Sequence, residues 1–208
     1  MSIPPRTEAR TAFGITTPSD MLAKLKREVN RVADASFLHD ELVDHGNQCA
    51  ITAWHITDWV WRARFENDTV AQDDLVAPDS NLRKKGGGKY RDIPRWFKEY
   101  LTRECPELAL CQDIANGFKH VIATIPERRE SPGVVNVTAS ASVAPSEVFE
   151  LGHSVLGYAG LGGPGFTPEG TMYRLKIEDS HGIRHDAVDV FNRVVAFWNR
   201  FLHMNHLA

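Results

Sequence analysis

Residues 37–66, FLHDELVDHGNQCAITAWHITDWVWRARFE, form the longest apolar-periodic stretch of the 208-residue chain. On a helical wheel this stretch has an apolar stripe, made up of Leu42, Cys49, Ala53, Ile56, Val60 and Ala63. The stripe is widened to about half of the circumference by Val43, Ala50, Trp54 and Trp61. So wide an apolar face predicts a helix enclosed by neighbouring elements. A bend or restart is expected at Gly46-Asn47.

The opposite face of this predicted helix is polar, with Glu41, Gln48, His55 and Arg62 at seven-residue spacing. A solvated surface is the simplest interpretation of such a face. His55, however, follows Trp54 and has Trp59 one turn further on, so its imidazole is expected in partly dry surroundings. Asp58 lies close enough to tune it. We therefore take His55 and Asp58 as candidate catalytic residues. Trp54 and Trp59 are candidate binding residues.

The composition is that of an ordinary globular protein, with 42% hydrophobic residues, 25% charged residues and a net charge of −3. There is no general basic excess for nucleic acid, but residues 83–98 are locally basic. The cations there are Arg83, Lys84, Lys85, Lys89, Arg91, Arg95 and Lys98, against the acid Asp92. Such a run is either a solubilising loop or a phosphate-binding surface, and its KKGGGK sequence lacks the Walker pattern. For the second interpretation, the candidate binding residues are Arg83, Lys84, Lys85, Lys89 and Arg91.

The three cysteines, Cys49, Cys105 and Cys111, are scattered along predicted helices without zinc-site or redox-motif spacing. This pattern predicts reduced core thiols and a cytoplasmic protein. The sequence shows neither an export segment nor an apolar run of membrane-spanning length, so no membrane partner is expected.

Further helices are predicted at residues 17–33, 94–104, 106–120 and 188–206, the last of them capped by Asp186 or Asp189. The first begins with a capping-box sequence, Thr17-Pro18-Ser19-Asp20. Residues 67–90 are predicted to be a polar connection. Strands are predicted at residues 121–125, 134–143, 172–178 and 183–187, with a Gly-rich loop at 145–170 and a hairpin turn at residues 179–182.

The expected fold class is therefore α+β, mainly a helical bundle of four to five helices with a small antiparallel β-sheet inserted before the C-terminal helix. Residues 1–208 are expected to form a single domain. It consists of a loose arm at 1–16, the bundle at 17–120, the sheet with its loop at 121–187 and the last helix at 188–206.

The predicted helix at 106–120 carries a polar row in the segment DIANGFKH. Asp113, Asn116 and His120 are three and four residues apart, so they share one face unless Gly117 ends the helix early. This segment resembles the motif helix of the HEPN family (higher eukaryotes and prokaryotes nucleotide-binding), in which the motif reads approximately R-N-x-x-x-H. Asn116 and His120 match its Asn and His. Ala115 stands at the position of the motif arginine.

The resemblance implies a helical domain that binds RNA or a nucleotide. It further implies a metal-independent ribonuclease, without a cofactor, of the kind found in bacterial toxin and phage-defence systems. In that scheme His120 transfers the proton, Lys119 holds phosphate and Asn116 orients the substrate or the imidazole. Asp113 restrains the helix turn, and His55 or Asp58 faces the motif from the preceding long helix.

Two other classes of function remain open. A helical-bundle metalloenzyme would draw its ligands from Glu41 and His45, from His55 and Asp58, and from His120 on another helix. A non-catalytic immunity or adaptor protein would use the bundle and sheet to bind a protein partner or to form a homodimer. The sequence shows no nucleophile motif such as G-x-S-x-G.

Overall fold

The computed structural model describes residues 14–34, 39–76, 93–119, 134–143 and 171–208. Its helices are α1 (Pro18–Ala33), α2 (His39–Val60), α3 (Thr69–Val76), α4 (Arg95–Glu104), α5 (Pro106–Lys119) and α6 (Ala187–Met204). Its strands are β1 (Val134–Val143), β2 (Thr171–Asp179) and β3 (Arg184–Asp186). The helix-dominated α+β class is confirmed, with the sheet placed before the last helix. In this part of the chain, no helix is long and apolar enough to cross a membrane.

α1 begins with the predicted capping box. The Thr17 hydroxyl accepts a hydrogen bond from the Asp20 amide at 3.1 Å, and the Asp20 carboxylate accepts one from the Thr17 amide at 2.9 Å. Two amides without a partner inside the helix are satisfied in this way. Hydrogen bonds from Thr16 and Thr17 lower the pKa of Asp20 to about 2.

α2 is enclosed by other elements, as the width of its apolar face predicts. The side chains of Leu42, Cys49, Ala53, Ile56 and Val60 are at most 1% exposed. The helix runs without interruption through Gly46-Asn47, so it does not restart there. Gly46 instead permits a close approach of the sheet, because a Cβ at this position would lie 2.1 Å from Leu175 Cδ2.

The turn that follows α2, Trp61–Phe65, is π-helical, and the Glu66 amide donates to the Trp61 carbonyl at 2.8 Å. A π-turn is wider than an α-turn and changes which side chains face inward. Trp61 and Phe65 are buried, whereas Ala63 is exposed. The placement of Ala63 on the apolar stripe is therefore wrong, because the 3.6-residue period does not continue through this turn.

α3 lies within residues 67–90, which the sequence predicts as a polar connection, and it brings the helices of the described residues to six. Asp68 caps its start by accepting a hydrogen bond from the Ala71 amide at 2.9 Å. Ala71 is buried and Leu75 packs against the core. A helix of about two turns buries too few apolar residues for a periodic pattern to stand out in the sequence.

The π-turn after α2 packs against α4 and α6 through a cluster of aromatic side chains. The cluster consists of Trp61, Phe65, Trp96, Phe97, Phe197, Trp198 and Phe201. The rings of Trp61 and Phe97 have centroids 5.1 Å apart. Inside the core, the Trp198 indole N–H donates to the Ala53 carbonyl at 3.1 Å. This bond ties α6 directly to the middle of α2.

The three strands form an antiparallel sheet in the order β1-β2-β3, as predicted. Leu175 and Ile177 of β2 are two residues apart, so they share one face of the sheet, and both are buried. On that face, the side chain of Leu175 packs closely against Gly46 of α2. The strand predicted at 121–125 and the loop predicted at 145–170 lie outside the described residues.

The predicted hairpin turn connects β2 and β3. The Asp179 amide donates to the Ile183 carbonyl at 3.0 Å, and the Gly182 amide donates to the Asp179 carbonyl at 2.9 Å. Gly182 has a φ of +76°, which favours glycine at this position. Asp186 then caps α6, as predicted, by accepting a hydrogen bond from the Val188 amide at 3.0 Å.

Candidate functional site

α5 carries Asp113 and Asn116, the two residues of the predicted polar row that the structure describes. Leu108, Cys111 and Ala115 are buried against the core, whereas Asp113 and Asn116 are half-buried on another side of the helix. The helix passes through Gly117 and continues to Lys119, so an early end at Gly117 does not occur. α5 packs against α2, the helix that carries His55 and Asp58. Asn116 is therefore held on a rigid element of the bundle.

Ala115, at the position of the motif arginine, is a core residue with 1% of its surface exposed. An arginine at this position would have to leave the core before its guanidinium reached solvent or a phosphate. Any cation that binds phosphate must therefore come from elsewhere in the chain.

Several predicted site residues lie outside the described part of the chain. They are His120, the side chain of Lys119, and Arg83, Lys84, Lys85, Lys89 and Arg91 of the basic segment. The predicted proximity of His55 and His120 consequently stays a prediction.

The predicted site residues on α2 divide by burial. Trp54 is 8% exposed and belongs to the core, so little of its ring is available to a ligand. His55 and Trp59 are half-buried, and Asp58 is exposed. Asp58 lies within one turn of His55 and Trp59, whereas the other exposed acids of α2, Asp40, Glu41 and Asp44, lie three turns or more from His55. Asp58 would repel a phosphate bound there unless a cation outweighs its charge.

All three cysteines are free and buried. Burial raises the pKa of the Cys105 thiol to about 11. Burial also raises the pKa values of Cys49 and Cys111, with the charge of Glu28 adding to the effect at Cys49. The thiolate is the form of cysteine that reacts and binds metals. Because burial disfavours the thiolate, these three side chains act as packing residues of the core.

The structure also bears on the ligands considered for a metal. Among the described residues, no group of three or more His, Cys, Asp and Glu side chains is arranged to hold an ion. The ligands considered on α2, Glu41 with His45 and His55 with Asp58, therefore form no such group with other described residues.

A histidine–carboxylate pair on the hairpin was not identified from the sequence. His185 Nε2 lies 3.0 Å from Asp179 Oδ2, and the side chain of Asp179 is 1% exposed. The other Asp179 oxygen accepts hydrogen bonds from the amides of His181 and Ile183 at 2.9 and 3.0 Å. The His185 hydrogen bond and these amides lower the pKa of Asp179. All of these bonds close the turn, so the pair has a structural role here.

No protein-family model matches the chain, and no curated protein or solved structure is significantly similar to it. The likeness of residues 113–120 to the HEPN motif therefore rests on those residues alone.

Proposed function

We propose that the protein binds RNA or a nucleotide beside the predicted polar row, Asp113, Asn116 and His120, of which the first two lie on α5. We further propose that it cleaves RNA without a metal ion. The observation that carries the proposal is the orientation of α5. Cys111 and Ala115 lie in the core, while Asp113 and Asn116 reach the surface on a helix fixed by its packing against α2. This arrangement supports the use of Asn116 as a residue that positions a substrate.

The proposed chemistry needs two further groups. Cleavage at a 2′-hydroxyl requires a side chain that exchanges a proton near neutral pH, and a cation beside the phosphate. We assign the first role to His120, four residues after Asn116, and the second to Lys119 and the basic segment 83–91. Ala115 cannot supply the charge, so these residues take over the part of the motif arginine.

The test is the incubation of labelled RNA with wild-type protein and with His120→Ala, each with and without EDTA. We expect the wild type to cleave RNA in the presence of EDTA. We expect His120→Ala to lose about a hundredfold or more in rate, as removal of a general acid–base does, while it keeps its affinity for RNA. The matched control is His181→Ala, which removes an exposed histidine side chain from the β2–β3 hairpin.

Three results would count against the proposal. A folded His120→Ala variant with full cleavage would remove the catalytic role of His120. Cleavage abolished by EDTA would favour the metalloenzyme alternative. A wild type with neither cleavage nor affinity for RNA or nucleotides would overturn the function itself.

A further inference from the structure

α1 and α6 lie side by side and run in opposite directions. The Ser19 hydroxyl, near the start of α1, donates to the Leu207 carbonyl after the end of α6 at 2.8 Å. Further along the pair, Lys26 Nζ donates to Asn199 Oδ1 at 3.3 Å. Two contacts in this reversed order show an antiparallel pair, whose outer side is one continuous surface.

This surface carries exposed cationic or titrating side chains. They are Lys26 and Arg27 of α1 and Arg200 and His203 of α6, which we call the α1–α6 face. None of these four side chains forms an ion pair within the described part of the chain. Arg31, two turns after Lys24, lies with it on the side of α1 that faces Thr52 and Cys49 of α2. Two other cations of these helices are already engaged, Lys24 by Glu28 and Arg193 by Glu107 at 2.9 Å.

Few acids oppose these charges. The acidic residues of α1 are Asp20, which is held in the capping box, and Glu28, which is buried. α6 contains Asp189, in its first turn. The chain as a whole has a net charge of −3, so its acids must be concentrated elsewhere. The exposed side of α2, with Asp44 and Asp58, is one such place.

We propose that the α1–α6 face binds the phosphate backbone of RNA. The inference rests on the proposed function, which names RNA as the ligand, and it adds phosphate contacts to those assigned to Lys119 and residues 83–91. With a rise of 1.5 Å per residue, Arg200 and His203 are about 4.5 Å apart along α6. Neighbouring helices are about 8–10 Å apart, so the face can meet roughly two or three phosphates.

The residues between the charges favour RNA over a membrane surface. The exposed side chains interspersed with the cations are Ala23, Asn30, Asn192, Ala196 and Asn199. Asparagine both donates and accepts hydrogen bonds, which suits phosphate oxygens and 2′-hydroxyls. A membrane-binding helix needs large apolar side chains among its cations. On these two helices Met204, at the end of α6, is the large apolar residue that is exposed.

The experiment compares wild-type protein with the double variant Arg27→Gln/Arg200→Gln. Binding to a labelled RNA is measured over a range of salt concentrations. The matched control is Arg103→Gln/Arg184→Gln, which removes two exposed arginines from α4 and β3. Circular dichroism checks the fold of each variant, and binding to anionic lipid vesicles is measured in parallel.

We expect the double variant to bind RNA about tenfold more weakly than the wild type, whatever the RNA sequence. The slope of log K against log salt should fall in magnitude by about 1.4, because two phosphate contacts at about 0.7 each are lost. The control should bind like the wild type.

The remaining outcomes separate the two proposals. If the wild type binds RNA and the double variant binds it equally well, the α1–α6 face is not the contact surface, and the proposed function stands. If the wild type binds no RNA, the inference about the α1–α6 face is overturned, and the proposed function is overturned with it when no nucleotide binds either. If it binds anionic vesicles instead of RNA, the face belongs to a membrane surface.

Discussion

The cysteine side chains illustrate how position decides the chemistry of a residue. Cys49, Cys105 and Cys111 lie in the core, where a charged thiolate would lose its hydration. Burial is the largest cause of the raised pKa at each of the three. The sequence predicted reduced core thiols from their spacing alone, and the structure places all three accordingly.

We expect these thiols to react slowly with a disulfide reagent in the native protein. With a pKa of about 11 in place of 9.0, Cys105 has about a hundredfold less thiolate at neutral pH. The rate of thiol modification in native buffer is compared with the rate in denaturant, where all three should react at once. A cysteine that reacts equally fast in both would contradict its burial.

Asp179 should make the hairpin sensitive to acid. Its pKa is lowered in the folded state, first by the His185 hydrogen bond, so the carboxylate stabilises the fold above the unfolded value of 3.8. That contribution is lost as the pH falls from about 3.8 through the lower folded pKa. Denaturant unfolding at a series of pH values below about 5 measures this loss of unfolding free energy. Asp179→Asn should lose this part of the pH dependence, whereas Ser180→Ala in the same turn should retain it.

At the scale of an element, the apolar pattern of α2 predicts the helix and the side of it that is buried. Its close contact with the sheet depends on one glycine, Gly46. Helix propensity alone disfavours Gly46. The close approach of Leu175, which is 2% exposed, explains why a side chain is absent there. The same residue that suggests a bend in the sequence therefore serves packing in the structure.

Gly46→Ala and Gly117→Ala should consequently have opposite effects. Both glycines lie in helices, and alanine in place of either gains up to about 1 kcal/mol of helix propensity. At Gly117 no described residue lies within 4 Å of the added Cβ, so the variant should be more stable. At Gly46 the added carbon overlaps buried Leu175, and overpacking of about 1–3 kcal/mol should outweigh the gain. Urea unfolding measures both, and a stabilised Gly46→Ala variant would refute the contact.

At the scale of the whole molecule, the described residues share one hydrophobic core, to which all six helices and β2 contribute. The Trp198–Ala53 hydrogen bond lies within it and connects residues 145 positions apart in the chain. A core shared in this way favours unfolding in one cooperative step.

We expect circular dichroism and tryptophan fluorescence to report the same unfolding transition. Trp198→Phe removes the indole N–H and part of a fully buried ring, and should cost about 2–3 kcal/mol of unfolding free energy without a second transition. Phe197, beside it in α6, is 6% exposed and supplies the control Phe197→Leu, which keeps all backbone hydrogen bonds. Separate transitions for the two probes would show more than one folding unit.

The sequence by itself determined the elements whose signals are local. The apolar period predicted α1, α2, α4, α5 and α6, the capping residues marked the starts of α1 and α6, and the turn Asp179-Ser180-His181-Gly182 predicted the β2–β3 hairpin. Each of these depends on residues within a few positions of one another, where backbone hydrogen bonding and side-chain spacing act directly. The polar row of α5 was predictable for the same reason.

Only the tertiary structure decided which of these side chains meet. The contact of Gly46 with Leu175 and the phase change at the π-turn depend on elements distant in sequence. So does the α1–α6 face, because a basic surface forms only when two amphipathic helices pack side by side. A local pattern predicts which side of a helix is buried, whereas the packing of the core determines which other elements that side contacts.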